Sequence, residues 1–100
     1  MPGDPYARRL LYFVFMGSKG GVNRIKIISH IRKQPLNANQ LAKELGLDYK
    51  AIQHHIGVLE KNNLITKMGD KYAVTFFVSN FLEVNLEVFD EIVSKLEKGK

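Results

Sequence analysis

The chain of 100 residues contains no cysteine and no tryptophan, and its longest uninterrupted apolar run, Leu10 to Met16, is seven residues long. The absence of cysteine excludes disulfides, thiolate zinc sites and cysteine nucleophiles, and it fits a protein of the cytosol. An apolar run of this length is far short of the roughly 20 residues needed to cross a bilayer, and no signal-cleavage pattern follows it. We therefore predict a single cytoplasmic domain, for whose core a hydrophobic content of 45% is sufficient.

Negative charge is scarce over most of the chain, whose net charge is +5. Residues 1–79 contain twelve Lys and Arg against five Asp and Glu, a net charge of +7, whereas residues 80–100 contain three against five, a net charge of −2. A basic surface favours phosphate as a partner. We expect the first four fifths of the chain to bind nucleic acid and the acidic last segment to serve another purpose.

Catalytic and metal-binding patterns are also lacking. The segment Gly17-Ser18-Lys19-Gly20-Gly21 does not have the residue order of a phosphate-binding loop. His54 and His55 are neighbours on a predicted helix and point roughly 100° apart, so they cannot share one metal ion. The sequence predicts no enzyme, no metal and no other cofactor, and it predicts that His55 is a buried, hydrogen-bonded framework residue.

Helix signals begin at Asn37. This residue can cap a short helix over residues 38–45, in which Gln40 takes the third position of a capping box. Gly46 then ends the helix, because glycine adopts the left-handed conformation at low cost. Leu47 is expected to fill a buried turn position.

A second helix is predicted from about Tyr49 to Asn62, with Asp48 as its cap. Its inward face is a stripe of apolar residues spaced four and three apart: Ile52, Ile56 and Leu59. So few residues separate the two helices that they must cross at a steep angle, as in a helix-turn-helix. The second helix is the one that would read DNA.

A β-hairpin is predicted directly after these helices. Residues 64–67 and 72–78 have the composition of strands, and the polar segment Met68-Gly69-Asp70-Lys71 is typical of the turn between them. A hairpin in this place is the wing of a winged helix-turn-helix.

Two helices are predicted before the helix-turn-helix. Residues 6–16 suit a strand or a helix, and we favour a helix, whose aromatic surface would extend a dimer interface or line a small pocket. After the glycine-rich break of residues 17–21, Asn23 can cap a helix that runs to about Lys33 and is closed by Pro35. Its buried side would consist of isoleucines at positions 25, 27, 28 and 31.

A last helix is expected from Phe81 to about Lys98, with Asn80 and Glu83 forming a capping box. Apolar residues recur along one face of it at spacings of 4, 3, 4 and 3: Leu82, Leu86, Phe89, Val93 and Leu96. A seam this regular is what a helix offers to a partner helix, so it predicts a homodimer. The alternative is that the helix packs only on its own domain, because two heptads fall short of the usual three or four.

The predicted fold class is therefore α+β and mostly helical: a winged helix-turn-helix with a two-stranded wing and a C-terminal dimerisation helix. Within one domain, residues 1–19 form an N-terminal extension, residues 20–79 the core and residues 80–98 the dimerisation helix.

Candidate DNA-binding residues fall into two groups. Near the start of the predicted reading helix, four polar side chains face the bases: Tyr49, Lys50, Gln53 and His54. Gln53 is the first candidate for base recognition, because its amide can pair bidentately with N6 and N7 of adenine. A second group is expected to contact the sugar-phosphate backbone: Arg24, Asn39, Gln40, Gly57, Lys61, Lys67 and Lys71. The alternative for these polar residues is a solvated surface.

Residues 51–65, AIQHHIGVLEKNNLI, resemble the reading helix and following strand of the ArsR-type winged-helix regulators. The family pattern has a His-Leu pair, a leucine three residues on, a small residue and Gly-Leu-Val; here the pair is His55-Ile56, the leucine is Leu59 and the end is Asn63-Leu64-Ile65. Residues 20–55 are similar to a group of small archaeal winged-helix proteins that share the Asn-Ala-Asn-Gln-Leu and Asp-Tyr-Lys blocks.

The resemblance implies a homodimeric transcription regulator, with helix 49–62 in the major groove of duplex DNA and the hairpin against the adjacent backbone. The founding members of the family sense metals through cysteines, so metal-responsive repression is not implied here. Two other functions fit the sequence: a winged-helix module for protein–protein interaction, and chromatin-type DNA binding without sequence preference.

Overall fold

The computed structural model describes residues 4–70 and 73–99 of the chain. The helices come first, the two strands of the hairpin follow, and helices end the chain, as the sequence predicts. The mostly helical α+β fold class is confirmed. In chain order, the elements are α1 (Pro5–Tyr12), a π-helical segment (Phe13–Gly17), α2 (Gly21–Lys33), α3 (Ala38–Leu45), α4 (Tyr49–Lys61), β1 (Ile65–Met68), β2 (Thr75–Val78), α5 (Asn80–Glu83) and α6 (Leu86–Lys98). Within the described ranges, no helix has the length and hydrophobicity that crossing a bilayer requires.

The helix-turn-helix of α3 and α4 forms as its local signals predict. The Asn37 side chain accepts a hydrogen bond from the Gln40 amide at 2.8 Å, and the Gln40 side chain accepts one from the Asn37 amide at the same distance. Gly46 ends α3 with φ at 68°, and Asp48 caps α4 through the Ala51 amide at 2.7 Å. Leu47 in the turn is half-buried and not, as predicted, buried.

The first helix confirms the helical interpretation of residues 6–16, but its last part widens into the π-helical segment. Asp4 caps its start, accepting from the Tyr6 amide at 2.9 Å. The next helix, α2, begins at Gly21 and not at Asn23, since Gly20 is its N-cap with φ at 90°. The predicted Asn23 cap is therefore wrong: the left-handed glycine already turns the chain into the helix two residues earlier.

The wing is a short antiparallel hairpin in which Ile65 pairs with Val78 and Met68 with Thr75. The second strand is shorter than predicted, and Lys71 and Tyr72 lie outside the described residues. Phe76 also donates its amide to the Leu36 carbonyl at 2.9 Å, which ties the wing to the segment between α2 and α3. Strand β2 is thus held along both edges, by β1 on one side and by Leu36 on the other.

The predicted last helix is two helices. Ser79, and not Asn80, is the cap of α5: its hydroxyl accepts from the Leu82 amide and donates to the Asn63 carbonyl. The helix is then interrupted at Val84 and Asn85, where the buried Asn85 side chain donates through Nδ2 to the Phe81 carbonyl at 2.8 Å. The apolar spacing passes over this break, so the pattern alone gives no sign of it.

The core fills the space between α1, α2, α4 and the last two helices. Phe15 of the π-helical segment and Phe89 of α6 meet edge to face, with ring centroids 5.1 Å apart. Phe89 is 1% exposed and Leu82 is fully buried. These two members of the predicted dimer seam therefore cannot contact a second copy; Leu86, Val93 and Leu96 are half-buried.

Candidate nucleic-acid interface

Helix α4, which the sequence predicts to read DNA, has one buried and one exposed face. Its core side consists of Ile52, His55, Ile56 and Leu59. The four residues predicted to contact bases are exposed: Tyr49, Lys50, Gln53 and His54. Because the core side holds the helix against the domain, these polar side chains are presented outward on a rigid support.

A cleft of about 390 Å³ lies between the start of α3, helix α4 and the wing. Its rim carries polar side chains, with Asn39 from α3, Gln53 from α4 and Lys67 from β1. Its floor is apolar and includes the buried side chains of Ile56 and Phe76. Three separate elements thus bring predicted base-contact and backbone-contact residues together around one depression.

The charges at the cleft are mixed. The ammonium of Lys67 lies 3.8 Å from the Glu60 carboxylate, and the Lys67 side chain remains 60% exposed. Lys61, the residue after Glu60, is exposed at the end of α4. Gln40 is exposed as well, but its side-chain oxygen is used by the α3 cap. Lys71, the other predicted wing contact, lies outside the described residues.

Arg24 does not belong to this surface, and its predicted contact with the DNA backbone is wrong. The residue is 4% exposed, and its guanidinium donates to the Val14 and Lys19 carbonyls at 3.1 and 2.9 Å and to the Ser18 hydroxyl at 2.9 Å. Burial lowers the pKa of Arg24. Arginine is rarely buried, so the sequence offered no signal for this role. It holds together the π-helical segment and the following loop.

His55 is buried, as predicted, with 7% of its surface exposed. The expected hydrogen bond at Nδ1 is not found, however: this atom has no partner among the residues that the structure describes. Burial lowers the pKa of His55, and the nearby charges of Arg24 and His54 lower it further. Behind α4 the His55 imidazole thus lies near the buried Arg24 guanidinium, and burial and this charge both disfavour its protonated form.

An apolar surface lies on the first helix and the π-helical segment. Tyr6 and Phe13 are each 61% exposed, Met16 is 40% exposed, and Leu10 between them is half-buried. Their spacing of four and three places Tyr6, Leu10 and Phe13 on one helical face. We call these four residues the α1 stripe. The aromatic composition of residues 6–16 gave the only signal for it in the sequence.

The helix that carries this stripe is tied to α6 by a polar cluster. The Glu91 carboxylate accepts hydrogen bonds from Arg8 and from the Tyr12 hydroxyl, and the Lys95 ammonium lies 3.8 Å from it. The hydrogen bonds from Tyr12 and Arg8 lower the pKa of Glu91. The first and last helices therefore form one surface.

Comparison with known proteins agrees with this geometry. Residues 21–67 match the sequence model of the bacterial regulatory protein arsR family. No curated protein sequence matches the chain.

Solved structures match over nearly the whole chain. Reduced HlyU from Vibrio cholerae has a TM-score of 0.66 at 20% identity, covering 91% of this chain and 90% of that one. The transcriptional regulator HlyU from Vibrio vulnificus has a TM-score of 0.65 at 20% identity, covering 91% and 88%. An ArsR family transcriptional regulator has a TM-score of 0.55 at 16% identity, covering 100% and 99%. At these identities the likeness shows the fold.

Residues 21–67 therefore resemble the arsR family in sequence, and the chain as a whole has the winged helix-turn-helix fold of the solved structures that it matches.

Proposed function

We propose that this protein is a sequence-specific transcription regulator of the cytoplasm that binds double-stranded DNA as a homodimer. In this proposal α4 enters the major groove and the wing lies on the adjacent sugar-phosphate backbone. The observation that carries it is the division of α4 into a buried apolar side and an exposed polar side that starts at the helix N-terminus. This is the geometry by which the second helix of a helix-turn-helix reads bases.

The exposed residues of α4 would have distinct tasks. Gln53 would pair with adenine, and Lys50 would reach the acceptors of guanine or a phosphate. Tyr49 and His54, which also face the bases, would in addition donate to phosphate oxygens and so position the helix. Asn39, Gln40, Lys61 and Lys67, with Lys71 on the turn of the wing, would contact the backbone and supply the salt-dependent part of the affinity.

The homodimer would form through the α1 stripe. Two rings that are each 61% exposed, with a half-buried leucine between them, make an apolar surface of the kind that marks an interaction site. The partner would be a second copy, because a two-fold axis beside α1 places the same stripe of both chains face to face. The half-buried Val93 and Leu96 of α6, the helix tied to α1 through Glu91, would extend this interface.

A dimer of this kind would place its two reading helices in successive major grooves, about 34 Å apart. Its binding site would be an inverted repeat. No effector is part of the proposal. The chain has no cysteine, so it lacks the thiolates through which an ArsR-type regulator would sense a metal or an oxidant.

The test is selection from a pooled library of random duplexes at two salt concentrations, with binding followed by fluorescence anisotropy and the bound fraction sequenced. An enriched inverted repeat is the expected result. Salt-sensitive binding without enrichment would contradict sequence-specific regulation and would indicate general DNA packaging. An absence of binding at either salt would contradict DNA binding altogether, and would favour the protein-interaction module.

A further inference from the structure

Gly57 is a glycine that the fold of this domain does not need. It lies inside the reading helix α4, where it is exposed, and its backbone is not in the left-handed conformation that favours glycine. A Cβ at this position would meet no atom within 4 Å, so no neighbour requires a residue without a side chain. An interior helix glycine is less stable than alanine, because it loses more backbone entropy on folding. The domain therefore gives up stability at Gly57.

The empty space above Gly57 belongs to the cleft between α3, α4 and the wing. Gly57 lies one turn after Gln53 on α4, and both line this cleft together with Asn39 and Lys67. Because Gly57 has no side chain, the cleft is deeper where α4 lies beside the wing. Whatever enters the cleft can approach the backbone of α4 itself.

The chemistry of the rim fits one strand of DNA. Asn39 offers a neutral amide donor and Lys67 an exposed ammonium, and the Glu60 carboxylate, which also lines the cleft, lies 3.8 Å from that ammonium. These two donors flank an apolar floor, which includes Ile56 and Phe76 and against which a deoxyribose can pack. The cleft is also continuous with the exposed face of α4 that holds Tyr49 and Gln53.

We infer that the sugar-phosphate backbone of one strand enters this cleft and lies against the bare backbone of Gly57, so that Gly57 sets how closely the duplex approaches α4. This inference rests on the proposed function. The role of Gly57 in this inference is steric: the absence of its side chain leaves space for the DNA strand. A methyl group at this position would hold the strand away from the helix and weaken the contacts that the cleft makes with the sugar-phosphate backbone.

The test is the variant Gly57→Ala, compared with the wild type in thermal unfolding and in DNA binding. We expect the Tm to rise by about 3–8 °C, as for an alanine that replaces an exposed helix glycine in a domain of this size. We expect the affinity for duplex DNA to fall roughly tenfold or more, alike for a selected site and for random duplex, because a backbone contact carries no sequence information.

Two further measurements separate this role from others. The slope of log affinity against log salt should stay unchanged in Gly57→Ala, since no charge is lost, whereas Lys67→Ala should reduce its magnitude by about one. Ser94→Ala on α6 is the control. Alanine has the higher helix propensity, so this change also favours a helix, but Ser94 is not among the residues that line the cleft. DNA binding should therefore stay unchanged.

A wild type that binds no duplex would overturn the proposed function. A wild type that binds, together with a stabilised Gly57→Ala that binds equally well, would overturn the inference alone. A Gly57→Ala variant that is less stable than the wild type would also overturn it, because the open space above the helix would then be wrong.

Discussion

The imidazole of His55 lies directly against Gly20, where a methyl group would come within 2.7 Å of Cε1 and 3.3 Å of Nδ1. Gly20 also has φ at 90°, a conformation that other residues rarely adopt. This contact joins the loop before α2 to the buried side of the reading helix. The position of α4 therefore depends on a glycine about 30 residues before it in the sequence.

Replacement of this glycine should destabilise the domain. Gly20→Ala adds a Cβ that clashes with the His55 ring and strains a left-handed backbone, and we expect a loss of about 2–4 kcal/mol in the free energy of unfolding. Urea denaturation followed by circular dichroism measures it. Gly46→Ala is the matched control, since Gly46 also has a positive φ, of 68°, but nothing lies within 4 Å of its missing Cβ. A smaller loss of about 1 kcal/mol is expected there; equal losses in both variants would contradict the clash.

The free energy of unfolding should decrease as the pH is lowered, because of His55. Its pKa is lowered by burial in the folded state, so between its ordinary value near 6.5 and the lowered value the unfolded chain binds a proton that the folded chain does not. Stability is therefore full above about pH 6.5 and is lost as the pH falls through this window. Urea midpoints from pH 8 to pH 5 measure the loss, which His55→Gln should reduce. His54→Gln, a change of the exposed neighbour, should retain most of it; an equal pH dependence in the wild type and His55→Gln would refute the assignment.

Gln53 and Lys67 should affect DNA binding in different ways. Gln53→Ala should lower the preference for a selected site over random duplex by about 5- to 150-fold, because one bidentate base contact contributes about 1–3 kcal/mol of discrimination. Lys67→Ala should weaken binding to both duplexes alike. Anisotropy titrations with both duplexes measure the two ratios. If both variants weaken binding equally on every duplex, the division of roles is wrong.

Phe13 should be needed for the dimer. A charge in the centre of the α1 stripe would have to be buried between two copies without a partner, so Phe13→Glu should convert the dimer into a monomer. Sedimentation equilibrium gives the mass directly. Met68→Glu on the wing is the control, because Met68 is similarly exposed, at 66%, but lies on a different surface. A monomeric wild type, or a dimeric Phe13→Glu variant, would disprove the proposed interface.

Local chemistry made some elements predictable from the sequence. The caps at Asn37 and Asp48 and the stop at Gly46 depend on residues at most four positions away, and all three form as predicted. The inward stripe of α4 was readable for the same reason, since its spacing of four and three describes one face of one helix. These signals place the exposed face of α4, and with it the candidate site.

The missed features depend on which polar side chains become buried and on local backbone geometry, neither of which the spacing of apolar residues indicates. At the break between α5 and α6 the Asn85 side chain is buried and bonded to the Phe81 carbonyl, and the apolar spacing continues through this break. Arg24 was expected on the surface because its charge normally requires water, yet in the fold the Val14 carbonyl of the π-helical segment and the Lys19 carbonyl of the following loop accept its hydrogen bonds. The wrong cap at Asn23 has a similar cause, as the tight loop around Gly20 already fixes the start of α2.

The hydrogen bonds of Arg24 make the connection between α1 and α2 stiff. A rotation of α1 relative to the rest of the domain would require the guanidinium to release the Val14 carbonyl, the Ser18 hydroxyl and the Lys19 carbonyl. In a dimer joined at α1, the two reading helices would therefore be held at one separation and one angle. Such a protein would tolerate substitutions within each half of its operator far better than an added or deleted base pair between the halves.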